Sequence, residues 1–191
     1  MVKGLILTGG KSTRMGFDKY AITYRGKPHY LYLAEQLGLL EIPVALSCSL
    51  EQVQSLDTDL PLIPDRYPDT GPMGGILSAM EAFANSTFLV IACDLPFISA
   101  DAINKLLTHR DDRYHATLYQ RTEGWYESAF AIYEPSCYGL LAAQHRSGNY
   151  KLQQALKKLN VNALPVESNK IFYNVNTTDD LEAFRSGQDL E

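Results

Sequence analysis

Residues Leu5–Lys19 read LILTGGKSTRMGFDK. A short apolar run, Leu5-Ile6-Leu7, ends in Thr8 and the pair Gly9-Gly10, as a strand does when it feeds a tight loop. Glycine lets backbone N–H groups approach an anion, because no Cβ intervenes and positive φ is open. Ser12 and Thr13 add hydroxyl donors. Lys11, Arg14 and Lys19 put three cations within nine residues, opposed only by Asp18, and Arg25 and Lys27 extend the bias. The chain carries 17 Lys and Arg against 22 Asp and Glu, a net charge of −5, so this basic loop stands out as the place for an anion. Two common phosphate loops do not match. A Walker A loop needs glycine where Leu5 stands, and G-x-G-x-x-G is not the spacing of Gly9, Gly10 and Gly16. A bare surface turn would need the glycines but has no use for Arg14-Met15-Gly16 and Asp18-Lys19 at this spacing.

Outward from this loop the chain keeps one rhythm: a short β-rich run, a turn, then a helical pattern. Strands are expected at Leu5–Leu7, Val44–Ser47, Leu62–Ile63 and Phe88–Cys93, the last apolar throughout, as in a strand covered on both faces. Helical spacing marks Pro28–Leu40, with Pro28 in the first turn, then Gly75–Ala84 and Ala102–His109. Ala116–Gln120 and Trp125–Tyr133 flank Arg121-Thr122-Glu123-Gly124 as a hairpin, with Gly124 at positive φ. Pro135–His145 and Lys151–Leu159 read as helices, and Asn162–Val166 and Ile171–Val175 as weak strands. A threonine cap and an acidic first turn open a last helix in Asn176-Thr177-Thr178-Asp179-Asp180-Leu181. This alternation implies an α/β fold with a mainly parallel central sheet and helices on both faces. In such sheets ligands sit beyond the carboxyl ends of the strands.

The chain has 191 residues, 46% hydrophobic and 20% charged, which suits one domain and rules out a disordered or collagen-like chain. A domain of this size buries roughly 70% of its unfolded surface and needs no metal or disulfide to fold. The acidic balance argues against a general nucleic-acid or membrane-surface binder. No apolar run approaches a membrane span, and Leu5–Leu7 is too short for a signal-peptide core. The three cysteines, Cys48, Cys93 and Cys137, form no zinc spacing and read as ordinary buried thiols in a reducing cytoplasm. The four histidines, His29, His109, His115 and His145, form no metal pattern and read as surface or helix-end residues. Twelve scattered tyrosines make no stacking platform.

Phe88–Cys93 runs into Asp94-Leu95-Pro96-Phe97. An aspartate at the end of a buried strand can hold a divalent cation or cap the following turn. Mg²⁺ takes hard oxygen ligands and usually keeps several waters, so one or two carboxylates plus phosphate oxygens suffice. Asp65, between Pro64 and Pro68, reads on its own as a turn aspartate.

Taken together, GG-x-S-x-R-M-G-x-D-K after an N-terminal strand resembles the signature of the molybdenum cofactor guanylyltransferases (MobA) among the α/β nucleotidyltransferases. Matching segments run from Leu5 to Leu181, almost the whole chain. The resemblance implies a three-layer Rossmann-like fold of the nucleotide-diphospho-sugar transferase type. It implies one nucleotidyltransferase domain over 1–191, nucleotide-binding in its N-terminal part and acceptor-binding in its C-terminal part. It implies that Leu7, Thr8 and Gly9 line the nucleotide site, that Gly10 completes the loop, and that Arg14 and Lys19 neutralise phosphate charge. The family's metal aspartate falls on Asp94, for Mg²⁺ or alternatively Mn²⁺. Asp69-Thr70-Gly71-Pro72-Met73-Gly74-Gly75-Ile76 resembles its G-P-L-A-G-I segment, which makes Asp65 the nucleotide-site acid. An asparagine common at the end of the second strand is replaced by Ser47. Asn174-Val175-Asn176-Thr177-Thr178 resembles N-V-N-T-P and places Asn174 and Asn176 near the acceptor. Glu127-Ser128-Ala129-Phe130-Ala131 approximates an E-P-L-F-A segment.

The implied reaction is transfer of GMP from GTP to the terminal phosphate of molybdopterin, or of the molybdenum cofactor, with release of pyrophosphate. It takes place in the cytoplasm, with transient contacts to cofactor-pathway or recipient enzymes. Cytidylyl-transferring relatives typically carry Ala-Gly where this chain has Gly9-Gly10. Sugar-phosphate nucleotidyltransferases are usually longer. A GTP-binding regulatory protein without catalysis is the alternative from another class, and the retained Lys19 and Asp94 speak against it. Arg113, Arg121, Lys151 and Lys170 stand equal as partners for the acceptor phosphate.

Overall fold

The computed structural model describes residues 1–9, 19–24, 26–121, 124–166, 168–175 and 177–186, with the backbone alone for Lys19, Thr178 and Arg185. Expectations placed on Gly10, Ser12, Thr13, Arg14, Asn176 and the Lys19 side chain therefore lie outside the described residues.

The first strand, β1 (Val2–Leu7), alternates strictly in what it buries. Leu5 and Leu7 enter one apolar cluster and Ile6 the other, because successive side chains leave a strand on opposite faces. Leu5 and Ile6 are fully buried, worth about 1.5–3 kcal/mol each over exposure. Such a strand needs neighbours on both sides. It pairs in parallel with β2 (Val44–Cys48) and β4 (Thr87–Ala92), and β3 (Leu62–Pro64) lies outside β2. Phe88, Leu89, Val90 and Ile91 of β4 are all fully buried, as its unbroken apolar run demands.

Beyond β4 the sheet reverses once. The hairpin of β5 (Ala116–Gln120) and β6 (Tyr126–Tyr133) inserts β6 antiparallel between β4 and β5, and β7 (Val161–Pro165) adds in parallel at the edge. The order is β3-β2-β1-β4-β6-β5-β7, with β6 the reversed strand. One face is covered by α2 (Pro72–Ala82), α4 (Tyr138–Arg146) and α5 (Leu152–Leu156), the other by α1 (His29–Leu39) and α3 (Ala100–Thr108). The expected three-layer α/β architecture is the one observed. The last helix, α6 (Thr178–Ser186), packs through Leu181 on Ile22 and Val175.

Four local readings change. Ile171–Val175 is not a strand: Ser168 accepts the Lys170 N–H and winds Asn169–Phe172 into a 3₁₀ turn. Phe172 then packs against Tyr119 and Phe130, at 5.4 and 6.4 Å between ring centres. α2 starts earlier than its apolar spacing implies, because Gly71 at φ 63° caps it and Pro72 opens its first turn. Pro28 caps α1 instead of entering its first turn. His29 begins that helix but is buried, its Nε2 3.0 Å from the Leu95 carbonyl. All three cysteines are buried and free. Among the described residues, no helix is long and apolar enough to cross a membrane.

Candidate active site

Four parallel strands end side by side, and their hydrogen-bond ladder continues past the last strand residue. Asp65 N–H donates to Cys48 O at 2.8 Å, Thr8 N–H to Ser47 O at 2.9 Å, and Cys93 N–H to Leu7 O at 3.1 Å. The carboxyl ends of β3, β2, β1 and β4 thus form one rim with Asp65 at one end and Asp94 at the other. Three interstrand spacings separate them, about 14 Å. Metal–oxygen bonds of roughly 2.1 Å cannot span that gap, so one metal ion cannot be held by both carboxylates. Gly9 is exposed between them, with nothing closer to the place of a Cβ than the Ser49 nitrogen at 3.9 Å.

The first residue after β1 is held from below. Thr8 is fully buried and its hydroxyl donates to Ser47 O at 2.8 Å, turning the side chain away from the rim. Gln52 Nε2 donates to Thr8 O at 3.3 Å. Gln52 is itself fixed by a reciprocal pair: Ser49 N–H donates to Gln52 Oε1 at 2.9 Å, and Gln52 N–H to Ser49 Oγ at 3.3 Å. This is a capping box, and its S-x-x-Q spacing in Ser49-Leu50-Glu51-Gln52 was the sequence signal that could have found it.

Ser47 does not reach the rim. It is buried, and a Cβ on Gly75 of α2 would collide with its hydroxyl. The serine beside Gly9 is Ser49, two residues on. Leu7 is likewise buried beneath the rim, so what β1 presents to a ligand is backbone.

Asp65 is half-buried and its Oδ1 is occupied, accepting the Tyr67 N–H at 2.8 Å and facing Ser78 Oγ of α2 at 3.2 Å. A Cβ on Gly74 would sit 2.9 Å from this oxygen and 2.7 Å from Tyr67 O, so only glycine lets α2 come this close. Burial pushes the carboxyl above its ordinary range; Tyr67 N–H, Ser78 and the charge of His145 partly offset that, and Asp69 adds to it. The same negative site, after burial, helps push the Cys48 thiol up to about 11.

Asp94 is half-buried, and its carbonyl accepts the Val175 N–H at 3.0 Å, which brings the exposed Asn174 to this end of the rim. Tyr24 is a neighbour that sequence reading missed. Its hydroxyl is buried with no hydrogen-bond partner among the described residues, and its ring packs between His29 and Phe184 at 4.9 and 5.1 Å. Burial first, then the charges of Cys93, Asp94 and Asp180, hold this phenol protonated.

The rim continues across β6 and β5. Arg121 follows β5 and pairs with Glu127 near the start of β6, donates to Phe172 O at 2.9 Å, and lies over the Phe172 ring at 5.3 Å. Lys170 lies over Phe97 at 5.3 Å, and Phe97 stands three residues after Asp94. Arg113 is different: it pairs with Asp111 between α3 and β5, at the opposite rim. Among the described residues no three His, Cys, Asp or Glu gather as a metal cluster. Asp94 therefore suits a cation that takes most of its oxygens from phosphate and water.

The comparisons agree with this geometry. The Synechocystis molybdenum cofactor biosynthesis bifunctional protein is 39% identical over 134 residues, 69% of this chain and 39% of that protein. A probable molybdenum cofactor guanylyltransferase of Natranaerobius thermophilus is 28% identical over 195 residues, covering 96% of this chain and 95% of its own. The crystal structure of molybdopterin-guanine dinucleotide biosynthesis protein A from Archaeoglobus fulgidus superposes with a TM-score of 0.83 at 25% identity, over 96% of this chain and 97% of that one. The family model for the MobA-like NTP transferase domain matches residues 4–163, which include the β1 loop, Asp65, Asp94 and the Arg121–Glu127 pair. With the motif, the sheet order and the rim all in place, the chain belongs to the MobA-like NTP transferase family.

Proposed function

We propose that this chain transfers GMP from GTP to the terminal phosphate of molybdopterin, free or loaded with molybdenum, and releases pyrophosphate. The observation that carries the reading is the rim with a carboxylate at each end and an exposed glycine backbone between. A nucleoside triphosphate lies along it with the base toward Asp65, the phosphates over Gly9 and the loop through Gly10, and the reacting phosphorus toward Asp94. Arg14 and Lys19 supply phosphate charge from the loop. Asp94 would hold Mg²⁺, or Mn²⁺ in its place, and the ion supplies charge neutralisation at the phosphates.

The acceptor phosphate is ionised at neutral pH, so no residue has to remove a proton. One of its oxygens bonds to the α-phosphorus, the bond from that phosphorus to the bridging oxygen breaks, and pyrophosphate leaves with the electron pair. The protein's work is alignment and charge balance. The acceptor approaches from the β6–β5 half, past Arg121, Lys170 and Asn174. Arg113, at the opposite rim, takes no part.

The test is pyrophosphate release with molybdopterin as acceptor and Mg²⁺ present, offering GTP and CTP separately. Release with GTP alone supports the reading. Release with CTP alone keeps the fold and the phosphate chemistry but replaces the base. Nucleotide binding without release from either points to a regulatory protein.

A further inference from the structure

We propose that Ser78 is a positioning residue for base selection: it pins one oxygen of Asp65 so that the other meets the base. This rests on the reading of Asp65 as the residue that meets the nucleotide base. Ser78 is fully buried in the second turn of α2 and touches three groups. Its Oγ accepts the Arg66 N–H at 2.9 Å, lies 2.8 Å from Gly74 O, and lies 3.2 Å from Asp65 Oδ1. The single hydroxyl proton is shared between the last two, and an ionised carboxylate is the stronger acceptor. With Tyr67 N–H as second donor, Oδ1 is fully committed. The carboxylate is planar, so fixing Oδ1 fixes the direction of Oδ2.

Two further features make this a holder built for one orientation. Gly74 leaves the space that Oδ1 occupies, and Thr70 Oγ donates to Tyr67 O at 2.6 Å, closing the 65–70 turn around the carboxylate. Other groups act on Asp65 from a distance: His145 of α4 draws its charge out, while Asp69 of the turn and Cys48 of β2 face it. An oxygen held this way distinguishes a base edge with two adjacent N–H donors from an edge with one. Inosine triphosphate, which lacks the 2-amino group of GTP, is the probe.

The experiment measures affinities for GTP and inosine triphosphate by titration calorimetry with Mg²⁺ across pH 4.5–8, in wild type, Ser78→Ala, Asp65→Asn and the double variant. Asparagine keeps an oxygen for Tyr67 N–H and removes the charge. Ser78→Ala is expected to weaken GTP about tenfold, to shrink the preference for GTP over inosine triphosphate, and to shift the acid limb of GTP binding to higher pH. Added to Asp65→Asn, Ser78→Ala is expected to cost nothing further. Ser78→Cys, a weaker donor of similar shape, gives an intermediate result and serves if the alanine variant does not fold. Wild-type preference and an unmoved acid limb in the Ser78 variants, beside a weakened Asp65→Asn, overturn the role of Ser78 alone. Wild-type affinity in Asp65→Asn overturns the reading of Asp65 beneath it.

Discussion

At the amino-terminal rim of the sheet, Arg110 donates to both oxygens of Glu134, at 2.6 and 2.9 Å, and to Thr87 Oγ at 3.2 Å. Thr87 completes the set by donating to Glu134 at 2.8 Å. At the carboxyl-terminal rim, Arg121 pairs with Glu127 but spends other donors on the Phe172 carbonyl and its face on the Phe172 ring. Burial raises Glu127 even with Arg121 beside it. The first pair matches both oxygens of the buried Glu134 carboxylate, and it ties the start of β4 and the turn after α3 to the end of β6. The second spreads one guanidinium over a carboxylate, a carbonyl and a ring at the carboxyl-terminal rim. Two pairs of the same residue types therefore differ in how completely the carboxylate is matched by donors.

The largest effect expected tests which rim carries chemistry. Asp94→Ala should reduce turnover by about 10³ or more while leaving the thermal midpoint within a few degrees, since it removes charge balance at the phosphates. Turnover near wild type would break the division. Next, Arg110→Ala should strand the buried Glu134 and cost about 3–5 kcal/mol, lowering the midpoint by roughly 6–15 °C, with turnover per folded molecule unchanged. A loss of turnover out of proportion to unfolding would show that the closed pair also serves catalysis.

Arg121→Ala should cost less stability and more function. Loss of one charged contact to the acceptor phosphate predicts a rise of about 10–100-fold in its KM, read at saturating GTP. Smallest is the pH effect of Glu127. Its folded pKa is raised, so its charged form opposes folding at neutral pH, and that opposition fades as pH falls toward the ordinary value of 4.5. Glu127→Gln should therefore lie within about 1 kcal/mol of wild type at pH 7, and the wild type should gain on it between pH 7 and pH 5 in urea titrations. A gain in the other direction would mean that Arg121 outweighs burial.

The contrast between rims also explains what sequence could reveal. The run into Gly9 and the run into Asp94 are local: a strand, its burial and the residue after it are adjacent in the chain. The Gly9 and Asp94 positions on the rim were legible for that reason. Arg121 and Glu127 were each visible, but their pairing depends on a hairpin bringing two strands into register. Ser47 lies within β2 and faces Gly75 of α2, whereas Ser49 lies past the strand's end in the turn capped by Gln52. The 3₁₀ turn at Asn169–Phe172 has β-favouring residues, and a pocket of aromatic rings claims Phe172 instead. Tertiary contacts claimed Phe172, whereas the early start of α2 was set locally by Gly71 and Pro72.

The hydrogen bond from Val175 N–H to the Asp94 carbonyl joins residues 81 positions apart in chain order, and its donor lies beyond residue 163, where the family match ends. On the ribosome, β1 to β4 and the loop after Gly9 emerge long before that donor exists. A growing chain can thus assemble the bed for a nucleotide early, yet lacks the clasp at Asp94 until nearly all of it has been made. A fragment trimmed at residue 163 would cut into β7, which runs to Pro165, and would lose the clasp at Asp94.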